Sequence, residues 1–395
     1  MTILKNANIV TPDKVLENYC LKIEDGKITE ISKVVECSNE DGEIIDCKGR
    51  FVIPGLIDIH SDMIESLLQP RSTALMDHRL SLDEAEKELC ACGITTIYHS
   101  VSMYKKGTWG GSEIRTAGSV KKLSSLIKEK KNSSHLINNK YHLRYELDNI
   151  ECYDKVLELM SEGNVDLISI MDHRPGQGQY KDLSIYRKHL PNQGRDLTDE
   201  EFLQLVEREK NKPMIKGEKL EHLVSKAKEY GIPISSHDDD TVECIERNKK
   251  LGVDISEFPI TLEVAEEAEN AGIATLLGAP NILLGGSHSG NLSAEEAVKA
   301  GCADILCSDY YPQALLRAVF YLFDKKILSL PDAVKLCTLS PAKAVGISDT
   351  TGSVEVGKNA DILIVNLNEN GTPELKSVFV DGVHTMDLNY SEVKK

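Results

Sequence analysis

The sequence lacks the features that would assign it to a membrane, to secretion or to nucleic acids. Its 395 residues include no apolar run near the roughly 18 residues of a membrane helix. Its 63 acidic residues outnumber 46 basic ones, and the formal charge of −17 argues against nucleic acid or an anionic membrane as partner. No signal peptide is recognisable, and the ten cysteines include no Cys-x-x-Cys pair. We therefore expect a cytoplasmic protein whose cysteines are reduced thiols.

The sequence also lacks the glycine-rich fingerprint of dinucleotide-binding folds and the phosphate loop of nucleoside triphosphatases. Its middle instead alternates short apolar segments with helical ones. Strands are predicted at 56–59, 94–99, 141–147, 166–171, 233–236, 254–258, 274–277 and 303–308. Helices are predicted at 82–92, 119–131, 154–162, 199–212, 219–230, 241–251, 261–271, 294–300, 314–323 and 330–336. This alternation predicts an α/β fold of the (β/α)8 TIM barrel type, with a doubly wound sheet as the alternative.

Both ends of the chain differ from the middle, because they consist of short strands separated by turns. We expect residues 1–53 and 347–395 to form one small β-sandwich domain, and residues 54–346 to form the barrel. The polar segment 174–218 is long for a strand-to-helix connection and predicts a lid insertion. An exposed insertion without function is the alternative.

The first predicted barrel strand ends in His60 and Asp62. Alternate residues of a strand point the same way, so these two side chains project together. An imidazole nitrogen and a carboxylate oxygen are ligands for a divalent metal. A His-x-Asp triplet also occurs as a surface pair, so the interpretation depends on what the other strand ends carry.

Further strand ends carry groups of the same kind. They are Glu146, His173, His237 and Asp309. Barrel active sites form at the C-terminal ends of the strands, which favours the barrel over the doubly wound sheet. Two divalent ions about 3.5–4 Å apart can share a hydroxide, with Glu146 bridging them and Asp309 accepting the hydroxide proton. The two histidines would bind one ion, and the first-strand pair the other. We expect Asp238 and Asp239 to orient imidazoles or cap local structure instead.

Two sets of residues are candidates for binding an anionic substrate. A glycine-rich segment at 285–291 follows the seventh strand, where barrels often bind phosphate, and its side-chain donors are Ser287, His288, Ser289 and Asn291. Arginines that lie near the predicted ligands could make bidentate contacts, and these are Arg71, Arg144 and Arg174. A flexible glycine loop and solvated surface arginines are the alternatives.

These segments resemble the amidohydrolase superfamily and, within it, the α-D-ribose 1-methylphosphonate 5-triphosphate diphosphatases of phosphonate degradation. The matching strings are HSD at 60–62, PR at 70–71, CGITT at 92–96, HLRYE at 142–146, MDHRPGQ at 171–177, SHDD at 236–239, EFP at 257–259, GAPN at 278–281, GGSHSGN at 285–291 and SDYYP at 308–312. The match extends from about residue 50 to 345.

The resemblance implies an amidohydrolase-type barrel that releases pyrophosphate from the ribose triphosphate and leaves the 5-phosphate, with the methylphosphonate intact. It implies metal ligands at His60, Asp62, Glu146, His173 and His237, with Asp309 as the base. The expected cofactor is zinc, as one or two ions, with manganese or iron as alternatives. The expected partner is a small anionic phosphorylated sugar, and the expected assembly is a homo-oligomer. The alternatives are an amidohydrolase acting on a C–N bond, as a deaminase or deacetylase, and a non-catalytic barrel paralogue.

Overall fold

The computed structural model describes residues 1–36, 42–104, 112–190, 197–287 and 290–390. Within these ranges the strands are β1 Thr2–Val10, β2 Val15–Glu24, β3 Lys27–Lys33, β4 Glu43–Asp46, β5 Phe51–Pro54, β6 Leu56–Ser61, β7 Ile94–Met103, β8 Asn138–Glu146, β9 Leu167–Met171, β10 Ile234–His237, β11 Ile255–Glu257, β12 Ala274–Gly278, β13 Ile305–Cys307, β14 Ile362–Leu367, β15 Pro373–Val380 and β16 Val383–Asp387. They form two eight-stranded sheets.

The first sheet is the predicted barrel, in which β6 to β13 pair in chain order and every pair is parallel. All ten positions of β7 are buried, which is typical of a parallel strand covered on both faces. The barrel closes through a bridge between Ser61 and Asp309. There the Asp62 amide donates to the Asp309 carbonyl at 2.7 Å, and the Asp309 amide donates to the His60 carbonyl at 3.0 Å. The closure therefore places the first and last strand ends side by side.

The helices in the described ranges are α1 Met63–Leu68, α2 His78–Ala91, α3 Ala117–Lys130, α4 Tyr153–Ser161, α5 Leu183–His189, α6 Asp199–Lys210, α7 Glu218–Glu229, α8 Val242–Leu251, α9 Leu262–Ala271, α10 Ala279–Leu284, α11 Ala294–Ala300, α12 Ala314–Asp324, α13 Leu330–Lys335 and α14 Leu339–Ala344. Local signals explain their ends: α9 follows Thr261, whose side chain caps the amide of Val264, and stops at Gly272 with φ of 74°. All ten predicted helices are present. The sequence did not predict α1, α5, α10 and α14.

The second sheet joins the two ends of the chain. Its order is β16-β15-β14-β5-β1-β2-β3, with β4 paired to β1. Most of its pairs are antiparallel, and only the pairs of β1 with β4 and β5 are parallel. The predicted barrel with a β-structure formed from both termini is confirmed. The exact domain boundaries stay a prediction.

The segment predicted as a lid contains α5 and α6, which share a small core of their own. Tyr186, Leu190, Phe202 and Val206 are buried together there. The amide of Gly178 donates to Asp240 Oδ2 at 3.0 Å and attaches the start of the segment to the fifth strand end. Residues 191–196 lie outside the described ranges. Among the described residues, no helix combines the length and apolar character needed to cross a membrane.

Candidate active site

Among the cavities that described residues line at the C-terminal end of the barrel, two of about 290 Å³ each share a wall formed by Asp62, Arg144 and Gln179. The loop-side cavity is lined, among others, by His60, His237, Asn281, Ser287, Asn291 and Asp309. The lid-side cavity is lined, among others, by Tyr104, Glu146, His173, Arg174, Tyr180 and Lys212. Residues from the first, third, fourth, fifth and eighth strand ends therefore meet at one cleft, as the barrel predicts.

One group of side chains in this cleft could hold a metal ion. The ligand atoms of His173, His237 and Asp238 all lie within 4.8 Å of one another. Asp238 Oδ2 is 3.1 Å from His237 Nδ1 and 3.5 Å from His173 Nε2. All three atoms are buried, and none makes a hydrogen bond to a described residue. Because buried polar atoms are normally satisfied, a divalent ion fits this set of two imidazoles and one carboxylate.

Asp238 could act as a ligand in addition to its expected role. It was expected to orient imidazoles or cap local structure, and its Oδ2 does face two rings, but the same atom is also a potential metal ligand. The reason is the backbone: Asp238 has φ of 55°, and its amide donates to the Glu257 carbonyl at 2.8 Å. Asp239 keeps the expected structural role, because its carboxylate accepts hydrogen bonds from Ser236, Ser256 and Asn248.

Glu146 contacts this group of three side chains through His173. Its Oε1 is 2.5 Å from His173 Nδ1. Burial lowers the pKa of His173, but the negative charges of Glu146 and Asp238 outweigh that effect and raise it to about 10. A proton on the ring and a bound cation would therefore serve the same purpose, which is to balance two buried carboxylates.

A second group with potential ligand atoms consists of His60, Asp62 and Asp309. His60 Nε2 is 3.9 Å from Asp62 Oδ1. Burial raises the pKa of Asp62, but the charges of Arg144 and His60 outweigh it and leave the pKa below its usual value. Asp309 has the opposite balance: burial is the largest effect and leaves its pKa above the usual value. A carboxylate with a raised pKa that faces a cavity is suited to accept a proton.

Two buried residues below the cleft have positions from which the sequence predicted no role. Glu257 ends β11, His142 lies in β8, and neither has any exposed surface. Glu257 contacts two imidazole rings: its Oε2 is 3.3 Å from His60 Nδ1, and its Oε1 is 3.5 Å from His142 Nε2. The available sequence signal was the position of Glu257 at the end of the sixth barrel strand.

The predicted substrate-binding residues divide into three sets. Arg144 lines both cavities, and Ser287 and Asn291 line the loop-side cavity. Arg174 lines the lid-side cavity, where its Nε and Nη2 donate to Asp172 at 2.7 and 2.6 Å. Arg71 is exposed and lines neither cavity. His288 and Ser289 lie outside the described residues. The glycine-rich stretch is preceded by helix α10, which was not predicted from the sequence.

Comparison with known proteins places this site in a family. The model of the amidohydrolase family matches residues 146–385. The chain belongs to the amidohydrolase family. It is 32% identical over 377 residues to the alpha-D-ribose 1-methylphosphonate 5-triphosphate diphosphatase of Escherichia coli K12, which covers 93% of this chain and 96% of that protein. It is 24% identical to an imidazolonepropionase of Porphyromonas gingivalis, over 87% of this chain and 82% of the relative.

Solved structures of this family share the fold. A dihydropyrimidinase from Brevibacillus agri superposes with a TM-score of 0.65 at 14% identity, over 97% of this chain and 94% of that one. An N-acetylglucosamine-6-phosphate deacetylase from Pasteurella multocida superposes with a TM-score of 0.64 at 13% identity, over 96% of this chain and 98% of that one. The resemblance noted in the sequence is thereby confirmed, and the chain is a hydrolase of this family.

Proposed function

We propose that this amidohydrolase hydrolyses α-D-ribose 1-methylphosphonate 5-triphosphate to the 5-phosphate and pyrophosphate. The observation that carries the proposal is the 32% identity, over 93% of the chain, to a protein named for that reaction. The convergence of the predicted strand-end residues on one cleft supports it, because the cleft contains the ligand and base types that phosphoryl hydrolysis needs.

Two sets of side chains would hold the cation. His173, His237 and Asp238, beside Glu146, would form one set, and His60 with Asp62 the other. When bound, a divalent ion supplies Lewis-acid polarisation of a phosphoryl oxygen and lowers the pKa of water toward about 7. The nitrogen and oxygen donors suit zinc, which we propose as the metal, with manganese or iron as alternatives.

The protein residues carry out the remaining steps. Asp309 accepts the proton of a water molecule whose oxygen attacks phosphorus, and the anhydride bond breaks as the pyrophosphate leaves. Arg144 balances negative charge on the phosphoryl oxygens, because it faces both cavities and is only 9% exposed. Ser287 and Asn291 donate to the phosphates in the loop-side cavity. Gly285 and Gly290 support the turns of this loop with φ of 74° and 78°, a conformation that favours glycine.

Phosphorus NMR tests the reaction. The metal-loaded protein is incubated with the ribose triphosphate, and we expect signals of pyrophosphate and of the 5-phosphate ester, with the phosphonate signal retained. The chelated protein is the control and should show neither product. Absence of turnover by protein with stoichiometric metal would overturn the proposal. It would favour hydrolysis of a C–N bond, which a panel of cyclic amides, deaminase and deacetylase substrates would then identify. A cytoplasmic location and a homo-oligomeric assembly stay predictions.

A further inference from the structure

Glu257 is a buried carboxylate directly beneath the cleft, and it lines neither cavity. Isolated carboxylates are very costly to bury, so such a group requires specific partners. Its partners are two rings and one hydroxyl: His60 at 3.3 Å, His142 at 3.5 Å and Ser169, whose Oγ donates to Oε2 at 2.5 Å. Only His60 among these three also lines a cavity.

The two nitrogens of His60 face different surroundings. Nε2 lies 3.9 Å from Asp62 Oδ1, on the side of the loop-side cavity, whereas Nδ1 faces Glu257. The Nδ1 contact is long for a hydrogen bond, but no described residue offers this nitrogen a closer one. A carboxylate only accepts hydrogen bonds, and a neutral imidazole has a single N–H. An imidazole that ligates a metal commonly donates its other N–H to a carboxylate, which fixes its tautomer and orientation.

We propose that Glu257 is a positioning residue for His60: it accepts the Nδ1–H of the ring and so presents the Nε2 lone pair to the cavity. This role rests on the proposed function in one respect, which is that Nε2 of His60 binds the cation. Ser169, which donates to the same oxygen Oε2, and His142, which lies beside Oε1, hold the carboxylate in place.

A buried metal site is the competing interpretation, because ligand atoms of His60, His142 and Glu257 lie within 4.8 Å of one another. The hydrogen bonds of His142 argue against it. Its Nε2 is 2.9 Å from Ser169 Oγ, which accepts the ring N–H because its own proton is donated to Glu257, and its Nδ1 is 3.0 Å from Ser100 Oγ, which can donate. Both ring nitrogens are therefore engaged with the protein. The cluster of His173, His237 and Asp238 differs, since its ligand atoms have no such partners among the described residues.

The test reads the tautomer of His60 directly, without catalysis. Long-range proton–nitrogen correlation spectra of histidine-labelled, metal-free protein are recorded at pH 9, and a His60→Asn variant assigns the ring. We expect the Nδ1–H form in the wild type and in Glu257→Gln, whose amide oxygen can still accept, and loss of that form in Glu257→Leu. Zinc affinity by calorimetry should fall about 10- to 100-fold in Glu257→Leu.

Ser235→Ala is the matched control. It removes a buried hydroxyl 2.6 Å from Ser169 Oγ, in the same network but without contact to His60, and should change neither readout. An Nε2–H ring in the wild type, or an unchanged tautomer in Glu257→Leu, overturns the proposal. Where Glu257→Leu does not fold, the wild-type and Glu257→Gln spectra decide. Failure of pyrophosphate release would leave both readouts intact, so the two proposals are tested separately.

Discussion

Arg144 and Asp62 form an ion pair at the shared wall of the two cavities, with Arg144 Nη1 2.8 and 3.0 Å from the two carboxylate oxygens. The same guanidinium reaches the other group of potential ligands, since its Nη2 is 3.3 Å from His237 Nε2. Asp62 is therefore already balanced by a fixed positive charge. A cation bound beside His60 has to share this carboxylate with the arginine.

Arg144→Met should separate metal binding from turnover. Removal of the guanidinium frees Asp62, and we expect zinc to bind about tenfold more tightly, a change of roughly 1.4 kcal/mol that is within reach of one charge a few ångströms away. Turnover of the triphosphate should fall about 100-fold, because the anionic substrate loses its buried positive partner. Calorimetry and steady-state kinetics measure the two effects. Arg79→Met, on an exposed arginine paired with Glu129, is the control. Zinc affinity that falls or stays constant would contradict this prediction.

Asp309→Asn should reduce turnover and leave metal binding almost unchanged. Asparagine keeps the shape of the side chain and tolerates the φ of 56° found at this position, but it cannot accept a proton. We expect a loss of about 100- to 10,000-fold in kcat, with zinc affinity within about threefold of the wild type. Asp324→Asn, at the exposed end of α12, is the control. Retained activity would exclude Asp309 as the base, and a large loss of zinc affinity would assign it as a ligand.

The parts of the site that the sequence predicted depend on strand geometry alone. Apolar runs followed by polar residues marked the barrel strands, and the two-residue period placed His60 and Asp62 on one face. Strand geometry could not predict the position of Arg71. The unpredicted helix α1 follows Asp62 directly, and Arg71 lies beyond this helix and is exposed. The contacts of Asp238 and Glu257 could not be predicted for another reason. The direction of each side chain depends on a local backbone angle or on buried partners from distant strands, which no local pattern encodes.

Gly55 joins the terminal sheet to the barrel, and its substitution should be strongly destabilising. A Cβ at this position would lie 2.1 Å from Thr95 Oγ1 and 2.3 Å from Cγ2, and Thr95 is completely buried. We expect Gly55→Ala to lower the free energy of unfolding by about 3 kcal/mol. Gly118→Ala is the matched control, because a Cβ in that turn of α3 meets nothing within 4 Å. It should stabilise the helix by about 0.5–1 kcal/mol. Equal urea midpoints of unfolding for the two variants would contradict the predicted clash between a Cβ at position 55 and Thr95.

Asp361 should make the stability of the terminal sheet depend on pH. Burial raises the pKa of this carboxyl to about 6, although it accepts hydrogen bonds from the Asp381 amide at 2.8 Å and from Thr351 Oγ at 2.7 Å. The folded state then binds the proton more tightly than the unfolded chain, whose aspartate pKa is about 3.9. The contribution to stability is therefore complete below about pH 4 and is lost as pH rises through about 6.

Asp361→Asn removes this titration and isolates its effect. The unfolding free energy of the variant, relative to the wild type, should increase by up to about 3 kcal/mol between pH 4 and pH 7.5, since each pH unit of displaced titration corresponds to roughly 1.4 kcal/mol. Thr351→Val removes a donor that favours the ionised carboxylate, so its stability should fall further and continue to fall at higher pH. Urea unfolding at a series of pH values measures both curves. A difference between Asp361→Asn and wild type that is constant across this range would show that the buried carboxyl does not titrate there.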